Sequence, residues 1–229
     1  MESFIQIPYK GYNMICGLDE AGKGPVIGPM VIAGVCYKED KEDVLKNYIK
    51  RDSKGYTPLM RNKLYNIAVK YLDYIKVIII PAGEINSWMR EGGKINRLEV
   101  IKFAWIIDDI VRVYGSNEIT IYIDSPDIKP LRARLQILTL LGNYREKIRD
   151  KIVCEHKADV KYLPASIASI IAKVTRDREI ARLHRLLGDF GSGYPSDPKT
   201  KQFIKSLKGK DLSKYYEYIR LYWKTIHIE

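Results

Sequence analysis

The chain is short of the residues that several chemistries require. Its 229 residues include three cysteines (Cys16, Cys36, Cys154) and three histidines (His156, His184, His227). No Cys/His spacing matches a zinc site, and no histidine has the partners of a nucleophilic centre. His156 stands near Asp159, but a single histidine is more often structural than catalytic. The odd set of cysteines, on or near expected strands, reads as buried reduced thiols. No apolar run is long enough to span a bilayer. Glu2 and Lys10 bracket too short an apolar stretch for a signal peptide. We therefore expect a monomer in the cytoplasm, with no membrane segment. Acids are in deficit: 28 Asp and Glu against 39 Lys and Arg give a net charge of +11. Such a balance suits a polyanionic partner. The length suits one large domain, or one with an appendage, whose core needs no disulfide or structural metal.

What is present is concentrated first at Asp19-Glu20-Ala21-Gly22-Lys23-Gly24-Pro25. Two adjacent acids end an apolar run (residues 14–18), and a lysine between glycines follows. Paired carboxylates at a strand end can hold hard divalent cations, which prefer oxygen ligands. Glycines beside a lysine let backbone N–H groups approach a phosphate. Gly17 to Lys23 also has the spacing of a nucleotide-binding P-loop, but Gly24 stands where that motif needs Ser or Thr. The β-forming run after Pro25 is not the helix a P-loop feeds, so the loop is expected to join two strands.

Hydrophobic patterning predicts strands at 13–19, 26–37, 74–80, 118–124 and 151–155. Helices are expected at 41–50, from a Thr57 cap and Pro58 to Tyr71, at 84–91, 96–114 and 129–141, and at 164–187. Leu64, Ile67, Ala68 and Tyr71 should face inward, as should Val100, Phe103, Ala104, Ile107 and Val111. On the last helix Ile167, Ile170, Ile171 and Val174 should do so. A Gly/Ser/Pro-rich loop and a lysine- and tyrosine-rich helical tail follow. The order implies a mixed α/β sheet with its ligand site at strand ends. We expect a catalytic domain over 1–187 and a loop with a helical, substrate-binding segment over 188–229.

Asp124 ends a β-branched and aromatic run before Ser125-Pro126 and is the best candidate to join Asp19 and Glu20. It could equally be an Asx-turn residue before proline. Asp127, beyond the break, reads as solvated. Asp159 opens the long helical region and is favoured over Asp177, which reads as a surface ion pair with Lys173.

These residues together resemble a known family. Residues 19–33 are similar to the opening of type 2 ribonuclease H (ribonuclease HII), of the archaeal kind. Residues 51–54 (Arg-Asp-Ser-Lys), 121–124 (Ile-Tyr-Ile-Asp), 156–159 (His-Lys-Ala-Asp), 165–178, 191–198 and Trp223-Lys224-Thr225 resemble its later blocks, in the family's order. The resemblance implies a ribonuclease H-like fold, a mixed five-stranded sheet flanked by helices with a small C-terminal helical segment. It implies an endonuclease that cuts the RNA strand of RNA–DNA hybrids and at ribonucleotides embedded in duplex DNA, using Mg²⁺ or Mn²⁺. It implies Asp19, Glu20, Asp124 and Asp159 as catalytic acids and metal ligands. The family's Gly-Arg-Gly loop falls on Gly22-Lys23-Gly24 and its substrate-sensing tyrosine on Tyr194. Lys23 departs from the family's arginine: it keeps the charge and loses the bidentate fork.

The chemistry follows from the residue types. Four close carboxylates would not all ionise unaided. Two divalent ions about 3.5–4 Å apart would neutralise them, activate a water and steady the leaving 3′ oxygen. The products would carry 5′-phosphate and 3′-hydroxyl ends. Choosing RNA needs a probe of the 2′-hydroxyl, for which the 22–24 loop and Tyr194 are candidates. Lys54, Lys173 and the tail lysines are candidates for phosphate contacts. Two other readings compete: a basic module that binds without turnover, and a nuclease or strand-transfer enzyme for all-DNA duplexes on a similar fold.

Overall fold

The structure is a computed structural model and describes residues 13–49 and 55–227. Five strands form one sheet: β1 (Met14–Ala21), β2 (Met30–Lys38), β3 (Tyr74–Ile80), β4 (Ile119–Asp124) and β5 (Ile152–Glu155). The order is β3-β2-β1-β4-β5. β1, β2 and β3 are antiparallel neighbours, whereas β4 and β5 run parallel to β1. Each parallel step needs a crossover, and helices supply it. The helices are α1 (Glu42–Tyr48), α2 (Pro58–Tyr71), α3 (Ala82–Arg90), α4 (Ile95–Tyr114), α5 (Pro130–Leu140), α6 (Arg145–Ile148), α7 (Ala158–Lys161), α8 (Leu163–Leu187) and α9 (Pro198–Ser206).

Strand alternation sorts the core into two layers. Met14, Cys16 and Leu18 join Phe103, Ile106, Ile107 and Ile110 of α4 on one face, with Ile137 of α5. Ile15 and Ala21 join Leu64 and Ala68 of α2 and Ile167, Ile170 and Ile171 of α8 on the other. Gly17 lets α8 press onto β1: a Cβ there would lie 2.1 Å from the Pro164 carbonyl carbon. The expected inward positions of α4 and α8 are all buried. On α2, Leu64 and Ala68 are buried, while Ile67 and Tyr71 are partly so. Thr57 caps α2 by accepting from the Met60 amide at 3.3 Å.

Four expectations change. β2 begins at Met30, because residues 26–28 leave the sheet and pair with the tail: Ile27 bridges Ile219, and Gly28 N–H donates to the Tyr218 carbonyl at 2.8 Å. Cys16 and Cys36, opposite each other on β1 and β2, form a disulfide, and only Cys154 is free among the described residues. Asp127 is buried and held by Arg132 Nε at 2.8 Å. Asp177 pairs with Arg61 at 3.0 Å, because α2 and α8 pack side by side. The tail has a third apolar cluster of its own, in which Phe190, Leu207 and Ile219 meet Val26 and Ile27 of the loop after β1 and Ile180 and Leu183 of α8.

Candidate active site

Asp19 and Glu20 are the last polar residues of β1, and the pleat sends them to opposite faces. Asp19 turns toward α8, where it is buried and bonded to the Ser169 hydroxyl with Lys173 nearby. Its Oδ1 also accepts from the Glu20 amide at 2.7 Å. Glu20 turns toward α4, whose Glu99 is fully buried. β4 runs beside β1 with Leu18 level with Ile123. The next residues on the two strands are Asp19 and Asp124. Asp124 Oδ1 accepts from the Ala158 amide at the start of α7, at 2.9 Å. Oxygen atoms of Asp19, Glu20 and Asp124 all lie within 4.8 Å of one another.

This crowding sets the electrostatics. Burial, then the neighbouring Glu20 and Asp124 charges, hold the Asp19 carboxyl well above its ordinary range, against the Ser169 hydrogen bond and Lys173. Burial and Glu99 push Glu20 up to about 8, with Lys23 opposing. Burial lifts Glu99 to about 7, again with Lys23 opposing. Lys23 is the local counter-ion: its Nζ lies 2.8 Å from Glu99 Oε2 and donates to the Pro126 carbonyl at 2.9 Å. The donor set is oxygen alone and compact, and burial with like charge holds Asp19 and Glu20 above the ordinary carboxylate range. All three properties fit a hard divalent ion.

An open cleft beside the acids is lined by Glu20, the Gly22-Lys23-Gly24 loop, Arg61, Lys173, Arg176, Asp177 and Tyr194. Gly22 takes φ of +81°, a conformation that suits glycine. The Tyr194 ring covers Gly24, so that a Cβ at Gly24 would lie 3.6 Å from the ring. Arg176 stands 5.2 Å from the Tyr194 ring centre and donates to the Ser192 carbonyl at 2.7 Å.

The ribonuclease HII family model matches residues 16–226. The chain belongs to the ribonuclease HII family. It is 42% identical over 211 residues to ribonuclease HII of Pyrococcus abyssi, covering 92% of this chain and 88% of the relative. The crystal structure of ribonuclease H2 from Pyrococcus horikoshii OT3 is similar with a TM-score of 0.77 and 36% identity, over 93% of this chain and 95% of that one. Bst-RNase HIII in complex with Mn²⁺ shares the fold, with a TM-score of 0.75 at 18% identity, over 95% of this chain and 69% of that one. The protein is therefore an endoribonuclease of the ribonuclease H type, on a mixed five-stranded sheet flanked by helices. No described helix is long and apolar enough to cross a membrane.

Against that background, Asp19, Glu20 and Asp124 converge, and Gly22, Lys23, Gly24, Lys173 and Tyr194 border the same cleft. Asp159 is buried in the first turn of α7, next to Ala158, whose amide holds Asp124, and lies outside the three-carboxylate cluster. Lys54 falls outside the described residues. His156, near Asp159 in sequence, has its Nε2 2.9 Å from the Ile128 carbonyl, which suits a structural role. Sequence reasoning missed Glu99, hidden on a helix that reads as apolar, and Arg176, inside a block already singled out. It also missed Arg220, whose burial only the folded tail creates.

Proposed function

We propose that the protein cuts the RNA strand of RNA–DNA hybrids, and duplex DNA at embedded ribonucleotides, leaving 5′-phosphate and 3′-hydroxyl ends. It would act as a cytoplasmic monomer with two divalent ions, Mg²⁺ or Mn²⁺. Asp19, Glu20, Asp124 and Asp159 would hold them. The observation that carries this reading is one cleft lined by Glu20, a member of the carboxylate cluster, and by the Gly-Lys-Gly loop under Tyr194. The chemistry such cations supply when bound is acidification of the attacking water and stabilisation of the leaving 3′ oxygen.

The chain's own residues do the rest. The Ala158 amide and Ser169 hydroxyl fix Asp124 and Asp19, so the carboxylates need little reorganisation. The loop amides can meet the 2′-hydroxyl and the adjoining phosphate, and the exposed Tyr194 ring can pack on the sugar. Lys54, Lys173 and the tail lysines would take phosphates. In this chain Lys23 turns to Glu99 and Pro126, so its contribution is support of the loop from below. Asp159 joins the set by resemblance and by its burial beside Asp124's amide partner.

The test is digestion of end-labelled hybrid, single-ribonucleotide and all-DNA duplexes with and without Mg²⁺ or Mn²⁺, by the parent and by Asp19→Asn and Asp124→Asn. The parent should cut the first two only, and only with metal. Both variants should lose turnover and still bind duplex. Near-normal cleavage by either variant would sink the site; cutting of all-DNA duplex would move the reading to a DNA nuclease.

A further inference from the structure

Arg220 is a fully buried cation, and no carboxylate among the described residues pairs with it. Removing a guanidinium from water without a counter-charge is expensive. Burial and the nearby Arg176 charge pull it down to about 9. What compensates it is backbone. Nη2 donates to the Gly22 carbonyl at 2.5 Å, Nη1 to the Lys23 carbonyl at 2.8 Å, and Nε to the Gly28 carbonyl at 3.1 Å. Trp223, whose ring lies 5.0 Å from the guanidinium, donates from Nε1 to the Gly24 carbonyl at 3.1 Å. Two tail side chains thus take every carbonyl of the Gly22-Lys23-Gly24 loop.

The consequence comes from peptide planarity. A trans peptide points its carbonyl and its N–H in opposite directions, and no peptide here is cis. With the Gly22 and Lys23 carbonyls turned to the tail, the Lys23 and Gly24 amides turn away from it. Those residues line the cleft, and no described acceptor takes either amide. The tail itself is anchored: Asn86, fully buried on α3, donates to the Tyr216 and Ile219 carbonyls at 2.9 and 2.8 Å and accepts from the Leu221 amide at 2.8 Å.

We propose that Arg220 and Trp223 are positioning residues that aim the Lys23 and Gly24 amides at the ribose 2′-hydroxyl, and so set how well the enzyme finds a single ribonucleotide in DNA. The inference rests on the substrate reading above. A hybrid offers a ribose in every register, whereas an embedded ribonucleotide offers one 2′-hydroxyl. A loosened loop therefore penalises the second substrate more. Arg220→Lys keeps the charge and loses the three-pronged reach. Trp223→Phe keeps an aromatic ring and loses the N–H together with the pyrrole half of the indole.

The experiment compares kcat/KM on single-ribonucleotide duplex and on hybrid, with the melting temperature of each protein. Arg220→Lys should lower the ratio of the first to the second by about tenfold or more, the effect of one to two lost charge-assisted hydrogen bonds. Trp223→Phe should lower it by about threefold, beyond any parallel loss on both substrates that the smaller ring causes. If Arg220→Lys does not fold, Trp223→Phe decides. A structural role alone predicts that both substrates fall in parallel with stability, and an unmoved ratio in Trp223→Phe overturns the proposal. Failure of the parent to cut either substrate removes the substrate reading and this inference together. Parent cleavage of both with an unmoved ratio removes this inference alone.

Discussion

Asp19 and Glu20 are neighbours in sequence but solve different problems. Asp19 leans on Ser169 and Lys173 of α8, and Glu20 faces Glu99 of α4. Both carboxyls, and Glu99, are shifted upward by burial and by like charge. In the unfolded chain they titrate near pH 4–4.5. Above that range the folded state binds more protons than the unfolded state, so stability falls as pH rises. The loss continues as pH rises through about 8, where Glu20 is half ionised. The metal-free protein should therefore melt at lower temperature at pH 8 than at pH 5. Added Mg²⁺ or Mn²⁺ should recover much of the difference at pH 8 and little at pH 5. Glu20→Gln should flatten the metal-free profile. Calorimetric melting across this range checks all three, and a flat parent profile would contradict the cluster's electrostatics. At this scale the sequence was readable where acids sit at strand ends, because a polar residue ending an apolar run must have a partner. Glu99 escaped because nothing local separates a buried glutamate from a solvated one on a helix. A second prediction follows for its counter-ion. Lys23→Met strands a buried carboxylate and should cost about 2–3 kcal/mol, below the usual range for breaking a buried pair because Lys23 is 28% exposed. Glu99→Gln added to it should restore most of the loss in denaturant unfolding.

At the level of elements, the strand and helix pattern was legible wherever it was local. α4 buries the predicted stripe because its apolar residues recur at helical spacing. Two errors share a cause. Residues 26–28 carry β-formers but pair with the tail about 190 residues on, and Asp177 meets Arg61 of α2 instead of Lys173 one turn away. Sequence periodicity has no access to either partner. Gly17 is the opposite case: an unremarkable glycine in a strand that proves to admit the Pro164 backbone of α8 where no Cβ would fit. Gly17→Ala would force the Pro164 backbone away and separate Asp19 from Ser169. It should destabilise by about 3 kcal/mol, the upper part of the range for overpacking, and weaken metal-dependent stabilisation as well. Urea unfolding with and without Mn²⁺ would show both effects; a loss below about 0.5 kcal/mol would mean that α8 moves freely on β1.

Over the whole molecule, the site is assembled from opposite ends of the chain. The acids come from the sheet, the loop follows β1, and Tyr194 arrives on the segment between α8 and α9. Gly193 locks that segment onto the loop, its carbonyl accepting from the Val26 and Ile27 amides at 2.8 and 3.2 Å. Tyr194 is 39% exposed, with one edge on Gly24 and the Arg176 guanidinium nearby. A large aromatic held in place yet open to a cleft suits stacking on a nucleotide, and the net charge of +11 suits its backbone. Tyr194→Ala removes ring and hydroxyl; Tyr194→Phe removes the hydroxyl alone. Stacking is worth about 1–3 kcal/mol by alanine substitution. The alanine variant should thus lose about tenfold or more in kcat/KM on single-ribonucleotide duplex, with phenylalanine between it and the parent. Packing of the tail gives the competing explanation, and it makes a different forecast: a lower melting temperature with the order of substrates kept. The ring's exposure argues for the first, since a residue that only packs the tail would be covered by it, as Phe190 is. Rates and melting temperatures measured on the same three proteins separate the two, and a stable alanine variant with parental rates would exclude the stacking role.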